Sequence, residues 1–233
     1  MVETYAQLLD NYKRMFGMVD TFHFNSNNTA NVYGNYLDIP EGSKVIPITH
    51  SGILDRRKFR NYDENILRLG FIGSEAPYKG LPMLKEVIAI LNKEGYSDKI
   101  TLYVYGGRTD QDQSLQNVTY KGRFTSNMME QVFDDMDLLV VPSIWNETFS
   151  LVTMEALSFG TCVLVSDKVG AKDIVAQYAP DFVFRTKQNL HGVIKGLLNS
   201  RIGLSQYNNA IINSCWSWSM EQHAKDIVEI IYK

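Results

Sequence analysis

The chain holds only two cysteines, Cys162 and Cys215, in 233 residues. Two thiols can neither frame a disulfide scaffold nor complete a zinc site alone, so a reducing cytoplasm is the expected compartment. Each reads as a small apolar side chain of a core. Long apolar runs are also missing. Leu138–Val141 falls far short of the ~20 residues that a membrane-spanning helix needs. The first residues, MVETYAQLLD, lack the basic-then-apolar order of a secretory leader. Charge of one sign is scarce as well: 23 Lys+Arg against 26 Asp+Glu give a net charge of −3. No general field draws the chain to nucleic acid or to an anionic surface, so an anion must be held by a local site. Metal-ligand spacing is absent too. The four histidines, His23, His50, His191 and His223, are dispersed and read as structural or surface residues, and no metal is expected. With 45% hydrophobic and 21% charged residues, disorder and fibrous repeats are excluded.

From about Ile66 onward, β-type apolar runs alternate with helix-period runs. Strands are expected at 67–72, 101–105, 118–121, 138–141, 162–166 and 182–184, with helices near 80–94, 126–135, 151–159 and 171–178. The last fifty residues read as helical, closing with 220–232. In the helix at 80–94, Leu81, Leu84, Val87, Ile88 and Leu91 share one face and Gly95 ends it. Such alternation implies a parallel sheet with right-handed crossovers. The first 65 residues read helix 3–16, strand 21–25, helix 28–37, turn 39–42 and strand 44–49, then a polar linker over 50–64. That piece is too short for a full core of its own. It is either an extra β-α-β layer on the same sheet or the remnant of a second domain.

Three loops follow expected strand ends, where ligands sit in open α/β sheets. The first is Gly73-Ser74-Glu75-Ala76-Pro77-Tyr78-Lys79-Gly80. Its Lys79 and the N–H groups of the helix start suit a phosphate, and an exposed lysine at a helix start is the plainer alternative. The second, Gly106-Gly107-Arg108, permits close approach of backbone to a ligand and equally serves a tight turn. The third runs Pro142-Ser143-Ile144-Trp145-Asn146-Glu147-Thr148-Phe149-Ser150-Leu151-Val152-Thr153-Met154-Glu155. Glu147 precedes a helix, where an acidic residue complements the dipole. Glu155 lies within that helix between Met154 and Ala156, an expensive place for an unpaired carboxylate, so it requires a partner or a ligand hydroxyl.

These motifs resemble the retaining glycosyltransferases of family 4, which have the GT-B fold. The Glu-x7-Glu signature stands here as Glu147 and Glu155, and G-x-x-x-P-x-K-G as Gly73, Pro77, Lys79 and Gly80. The run from Val163 to Ser166, then Gly170-Ala171 and Asp173-Ile174-Val175, looks like the following strand and helix, and Trp218 like the closing segment. The resemblance covers about residues 66–233, the donor-binding half. Residues 18–53 resemble the end of the N-terminal half and the crossing between halves. The implied fold is α/β, a Rossmann-like doubly wound parallel sheet forming one half of a GT-B enzyme, with residues 1–65 as a β/α remnant and linker.

The resemblance implies transfer of a sugar from a nucleotide-diphosphate donor (UDP- or GDP-sugar) to an acceptor hydroxyl, without cofactor or metal. Lys79 and Glu147 would be the catalytic residues, Lys79 neutralising the diphosphate and Glu147 holding hydroxyls of the donor sugar. Glu155 would bind the ribose. Gly73 and Ser74 would line the diphosphate, while Phe149 and the N–H groups of Ser150, Leu151 and Val152 would hold its distal phosphate. Gly106, Gly107, Arg123 and Phe124 would surround the base. The partners implied are the nucleotide-sugar and a saccharide or lipid-linked acceptor held by a missing N-terminal half or a partner chain. The full enzyme would be cytoplasmic and peripheral at a membrane. Self-association is expected through an apolar surface around Tyr5, Leu8, Leu9, Met15 and Phe16. Two positions depart from the pattern: Ser74 stands where an arginine is usual, and Ser150 where a glycine is common. Arg108 or Arg123 could replace that arginine. A non-catalytic nucleotide-sugar-binding subunit and a GT-B sugar-nucleotide epimerase are the alternatives.

Overall fold

A computed structural model describes residues 4–232. The larger body contains β3 (Leu67–Ile72), α3 (Leu81–Leu91), β4 (Ile100–Tyr105), β5 (Val118–Gly122), α4 (Met129–Asp134), β6 (Leu138–Val141), α5 (Leu151–Ser158), β7 (Cys162–Ser166), α6 (Lys172–Tyr178) and β8 (Val183–Phe184). It is preceded by α1 (Tyr5–Phe16), β1 (His23–Phe24), α2 (Asn27–Gly34) and β2 (Lys44–Val45), and followed by α7 (Lys187–Asn199), α8 (Ile202–Asn213) and α9 (Met220–Ile231). Strands β3 to β8 make a six-stranded sheet in the order β5-β4-β3-β6-β7-β8, every pair parallel. The chain starts in the middle with β3, winds outward to β5, then returns to β6 on the other flank of β3. That reversal leaves a crevice beyond the C-terminal ends of β3 and β6, where doubly wound sheets bind ligands.

The apolar patterns explain the layers. Every residue of β6 and β7 is buried, as expected of strands covered on both faces. Leu81, Leu84, Val87, Ile88 and Leu91 of α3 turn onto the sheet as the periodicity predicts. Gly95, with a left-handed φ of 92°, ends the wider turn that follows. Gly70 admits Met136 across β3, since a Cβ there would lie 2.2 Å from the Met136 sulfur.

The N-terminal piece differs from its sequence reading. Strands β1 and β2 pair only with each other, in parallel, so they are not an extra layer of the large sheet. Only two residues of each expected strand are paired. Helix α1 begins at Tyr5, capped reciprocally by Thr4 and Gln7, and the first residue of the predicted helix lies outside the described residues. None of its residues is buried. Tyr5, Leu8, Tyr12 and Met15 are exposed, while Leu9 and Phe16 are half-buried, Phe16 against Phe22 and Tyr33.

The stretch 50–64 is a fastened strap rather than a solvated linker. Arg60 donates to the carbonyls of Phe133 (2.6 Å) and Met136 (3.0 Å) and to the Thr161 hydroxyl. Arg57 donates to the carbonyl of Ser214 at 3.1 Å and lies over the Trp216 ring. The charges that make this segment read as a linker are spent on orphan carbonyls near helix ends. A second strap closes the chain: Thr49 donates to the Trp218 carbonyl (2.7 Å), and the ring of His223 in α9 lies 6.0 Å from that of His23. Cys162 is buried as expected, and burial pushes its thiol up to about 12. Cys215 is exposed, contrary to the core reading, because it lies in the extended break between α8 and α9. Among the described residues no helix is long and apolar enough to cross a membrane.

Candidate functional site

The three loops converge at the C-terminal edge of the sheet. Gly80, with φ 80°, opens α3 directly against the loop after β6; a Cβ there would fall 1.8 Å from the Pro142 carbonyl oxygen. The Ile144 N–H donates to the Tyr78 carbonyl at 2.9 Å, tying the first loop to the third. A Cβ on Gly106 would lie 2.5 Å from the Gly73 oxygen, so the second loop packs on the first. Only glycine serves at these two close approaches.

Within the crevice, Lys79 Nζ lies 2.9 Å from Glu147 Oε1, and the Ser143 hydroxyl donates to the same oxygen. The lysine at the helix start is therefore ion-paired rather than free. The Glu147 backbone is fixed as firmly as its side chain. Its N–H donates to the Lys168 carbonyl (2.9 Å) and its own carbonyl accepts from Gly170 (3.1 Å), a short parallel bridge to the loop after β7. The N-terminal piece grips this loop as well. Asn28 donates to the carbonyls of Glu147 (2.9 Å) and Lys168 (3.0 Å), and Ser26 to that of Thr148 (2.6 Å). Ser26 caps α2, which begins one residue earlier than the sequence predicts. Its second role crosses more than a hundred residues, and no local pattern announces it.

Glu155 has a protein partner. His50 Nε2 stands 3.1 Å from Glu155 Oε1, while the Gly52 N–H donates to His50 Nδ1 at 3.0 Å. With Nδ1 accepting, the neutral ring carries its proton on Nε2 and donates it to the carboxylate. His50, read in the sequence as one more dispersed structural or surface residue, comes from the crossing strap onto a candidate site residue. The requirement for a carboxylate on a largely buried helix to be paired was the signal; Glu155 itself is half-buried, and only the identity of the partner was illegible.

The remaining candidates are placed as follows. Phe149 is buried in the core, so its ring does not line the crevice, and its carbonyl accepts from Ala171. Leu151 is exposed and Val152 half-buried in the first turn of α5, whose leading N–H groups have no intrahelical acceptor. Arg123 is exposed after β5, and Phe124 packs edge-on to Tyr105 at 5.7 Å. The Gly106 N–H donates to Gly122 at 2.8 Å, bringing the second loop to this end. Ser74 is exposed. Arg108, one candidate for the role of the missing arginine, has its guanidinium 3.9 Å over the Tyr120 ring and pairs with Asp110 (3.2 Å) and Glu75 (3.7 Å). Beside it a cavity of about 540 Å³ opens between α3 and the loop after β4. Buried Asp112 anchors that loop. Burial raises its pKa, but hydrogen bonds from Lys85 and Ser114 outweigh burial and hold the carboxyl well below the usual range. Among the described residues no group of three or more His, Cys, Asp or Glu could hold a metal ion.

Ser150 is the only non-glycine with positive φ among the described residues, at φ 138°, ψ 89°. Such backbone costs about 1–3 kcal/mol for a residue with a Cβ, more than the roughly 0.5–1 kcal/mol entropic cost of glycine. Ser150→Gly is therefore expected to stabilise the chain by about 1 kcal/mol in urea unfolding. A comparable loss would show that the bond from Thr153 to the Ser150 hydroxyl (2.9 Å) outweighs the strain.

Comparisons with known proteins agree with this geometry. The O-antigen chain mannosyltransferase RfbU of Salmonella typhimurium is 26% identical over 150 residues, covering 60% of this chain and 41% of that protein. Anabaena Alr3699/HepE in complex with UDP-glucose superposes with a TM-score of 0.72 at 17% identity, over 98% of this chain and 68% of that one. S. aureus TarM in complex with UDP gives 0.70 at 18%, over 96% and 46%. At such identities the likeness is one of fold, that of GT-B glycosyltransferase domains, and this chain spans less than half of RfbU and TarM. Residues 66–200 match the family described as Glycosyl transferases group 1, more than half of the chain, and this chain belongs to that family.

Proposed function

We propose that this chain carries the donor-binding part of a retaining, family 4-like glycosyltransferase, residues 1–65 being the end of the acceptor-binding half and the crossing between halves. The observation that carries the reading is the Lys79–Glu147 pair at 2.9 Å, placed where the sheet reverses direction and beside the start of α5. The reaction must stabilise charge on a departing diphosphate next to an oxocarbenium-like sugar. A lysine and aligned helix-start N–H groups do this without reorganisation at the moment of transfer. Lys79 exchanges Glu147 for the diphosphate, and Glu147 then turns to hydroxyls of the sugar. Glu155 accepts from the ribose. With Glu147 and Glu155 both assigned to hydroxyls, no carboxylate pair is left to act as nucleophile and acid, which suits transfer on one face, the leaving phosphate taking the acceptor's proton. UDP and UDP-sugars are the first ligands to try, given HepE and TarM, with GDP-sugars second.

Titration calorimetry with nucleoside diphosphates and their sugars, with and without chelator, tests the site. Binding is expected without added metal. Lys79→Ala should weaken diphosphates by about 1.5–3 kcal/mol and nucleosides little, as for a lost charged hydrogen bond. Failure of every common nucleoside diphosphate to bind would overturn the assignment. The exposed Ser74, with Glu75 after it and no arginine, favours a second reading, a nucleotide-sugar-binding subunit without transfer. Donor binding with neither transfer nor hydrolysis, even beside a complete acceptor half, would select it.

A further inference from the structure

Two aromatic rings stand in water at the mouth of the crevice. Trp145 is 60% exposed and Tyr78 is 46% exposed, with ring centroids 5.5 Å apart. Tyr78 directly precedes Lys79, and Trp145 stands two residues before Glu147. The bond from Ile144 to the Tyr78 carbonyl fixes the two loops that carry them. Neither ring belongs to the core. Large aromatic side chains left side by side forgo about half of the roughly 150–250 Å² each could bury, which marks a surface meant to be covered.

We propose that Tyr78 and Trp145 form a stacking platform for a pyranose ring, a subsite for sugar adjoining the Lys79–Glu147 pair. A pyranose shows an apolar C–H face rimmed by hydroxyls. A flat aromatic takes the face, and a fixed polar group such as Glu147, itself held by the buried Ser143 hydroxyl, takes the rim. The neighbouring charges are paired, so a neutral ligand fits better than an ion. A nucleobase would stack on the same chemistry, but the base-side candidates lie beyond β4 and β5, on the opposite flank of β3 from β6. The ring is that of the transferred sugar or the terminal sugar of the acceptor. Only the first choice rests on the donor reading above.

Affinities of the wild-type chain, Trp145→Ala, Trp145→Phe and the double variant Tyr78→Ala/Trp145→Ala are measured for UDP, UDP-glucose, GDP, GDP-mannose, mannobiose and maltose. Tryptophan emission follows each titration, and Trp145→Ala identifies its contribution. A roughly tenfold loss for a nucleotide-sugar in Trp145→Ala, less than twofold for the bare nucleotide, and recovery in Trp145→Phe support the platform and assign the donor sugar. The same pattern for a disaccharide alone supports it and assigns the acceptor. Equal losses for nucleotide and nucleotide-sugar overturn it, as do unchanged affinities in the double variant or no binding of any sugar by the wild type. A shift in sedimentation on Trp145→Ala without a change in sugar affinity overturns it in favour of an interface between copies. Failure of all nucleotides with retention of disaccharide binding would sink the donor reading and leave the platform standing.

Discussion

The chain alone is expected to bind a nucleotide-sugar and transfer almost none of it, and a separately made acceptor-binding half is expected to restore transfer. Positioning two substrates in one cleft supplies up to ~7–11 kcal/mol of a barrier in favourable cases. A donor site without an acceptor site forgoes that gain however well its donor is bound. Two structural observations motivate the expectation. The chain spans 41% of RfbU and 46% of TarM. Helix α1 presents Tyr5, Leu8, Tyr12 and Met15 to solvent, and β1 and β2 are paired only with each other. A contiguous apolar face beside a minimal sheet invites either a further domain or a second copy. Product formation with a radiolabelled donor, alone and with the added half, measures the effect. Sedimentation distinguishes the domain from self-association. Efficient transfer by the purified monomer would overturn the half-enzyme reading.

The body of the fold was legible because its signals are local. Apolar β-type runs became β3, β6 and β7 within the predicted bounds, and the face of α3 was read residue by residue. The glycines of the first two loops were also legible, since a strand followed by glycine has few structural solutions. Long-range pairing carried no such signature. Asn28 and Ser26 hold the loop of Glu147 from the far end of the chain, and His50 meets Glu155 across 105 residues. The arginines of the strap read as solvated charge because nothing local shows that Phe133 and Met136 present open carbonyls. The partners of Arg108 were illegible for the same reason: Tyr120 and Glu75 reach it only when β4 pairs with β5 and β3.

The two glutamates are expected to separate nucleotide from sugar, and His50 to act through one of them. Glu155→Gln should weaken nucleoside, nucleotide and nucleotide-sugar alike by about 1.5–3 kcal/mol, because the proposed partner is the ribose common to all three. Glu147→Gln removes the ion pair at 2.9 Å and releases Lys79. Bare diphosphate should therefore bind as well as before or more tightly, while the sugar donor is lost or misplaced. His50→Ala removes the N–H that orients Glu155 and leaves the Gly52 N–H without its acceptor. Its loss should be smaller than that of Glu155→Gln and confined to ribose-bearing ligands, and His50→Gln, which keeps a donor, should recover part of it. If His50 works by holding Glu155, the double variant His50→Ala/Glu155→Gln binds no worse than Glu155→Gln alone, whereas independent contacts would add. Calorimetry with uridine, UDP and UDP-glucose on each variant reads the pattern. Equal losses for UDP and UDP-glucose in both glutamate variants would refute the division of roles, and additive losses in the double variant would refute the positioning by His50.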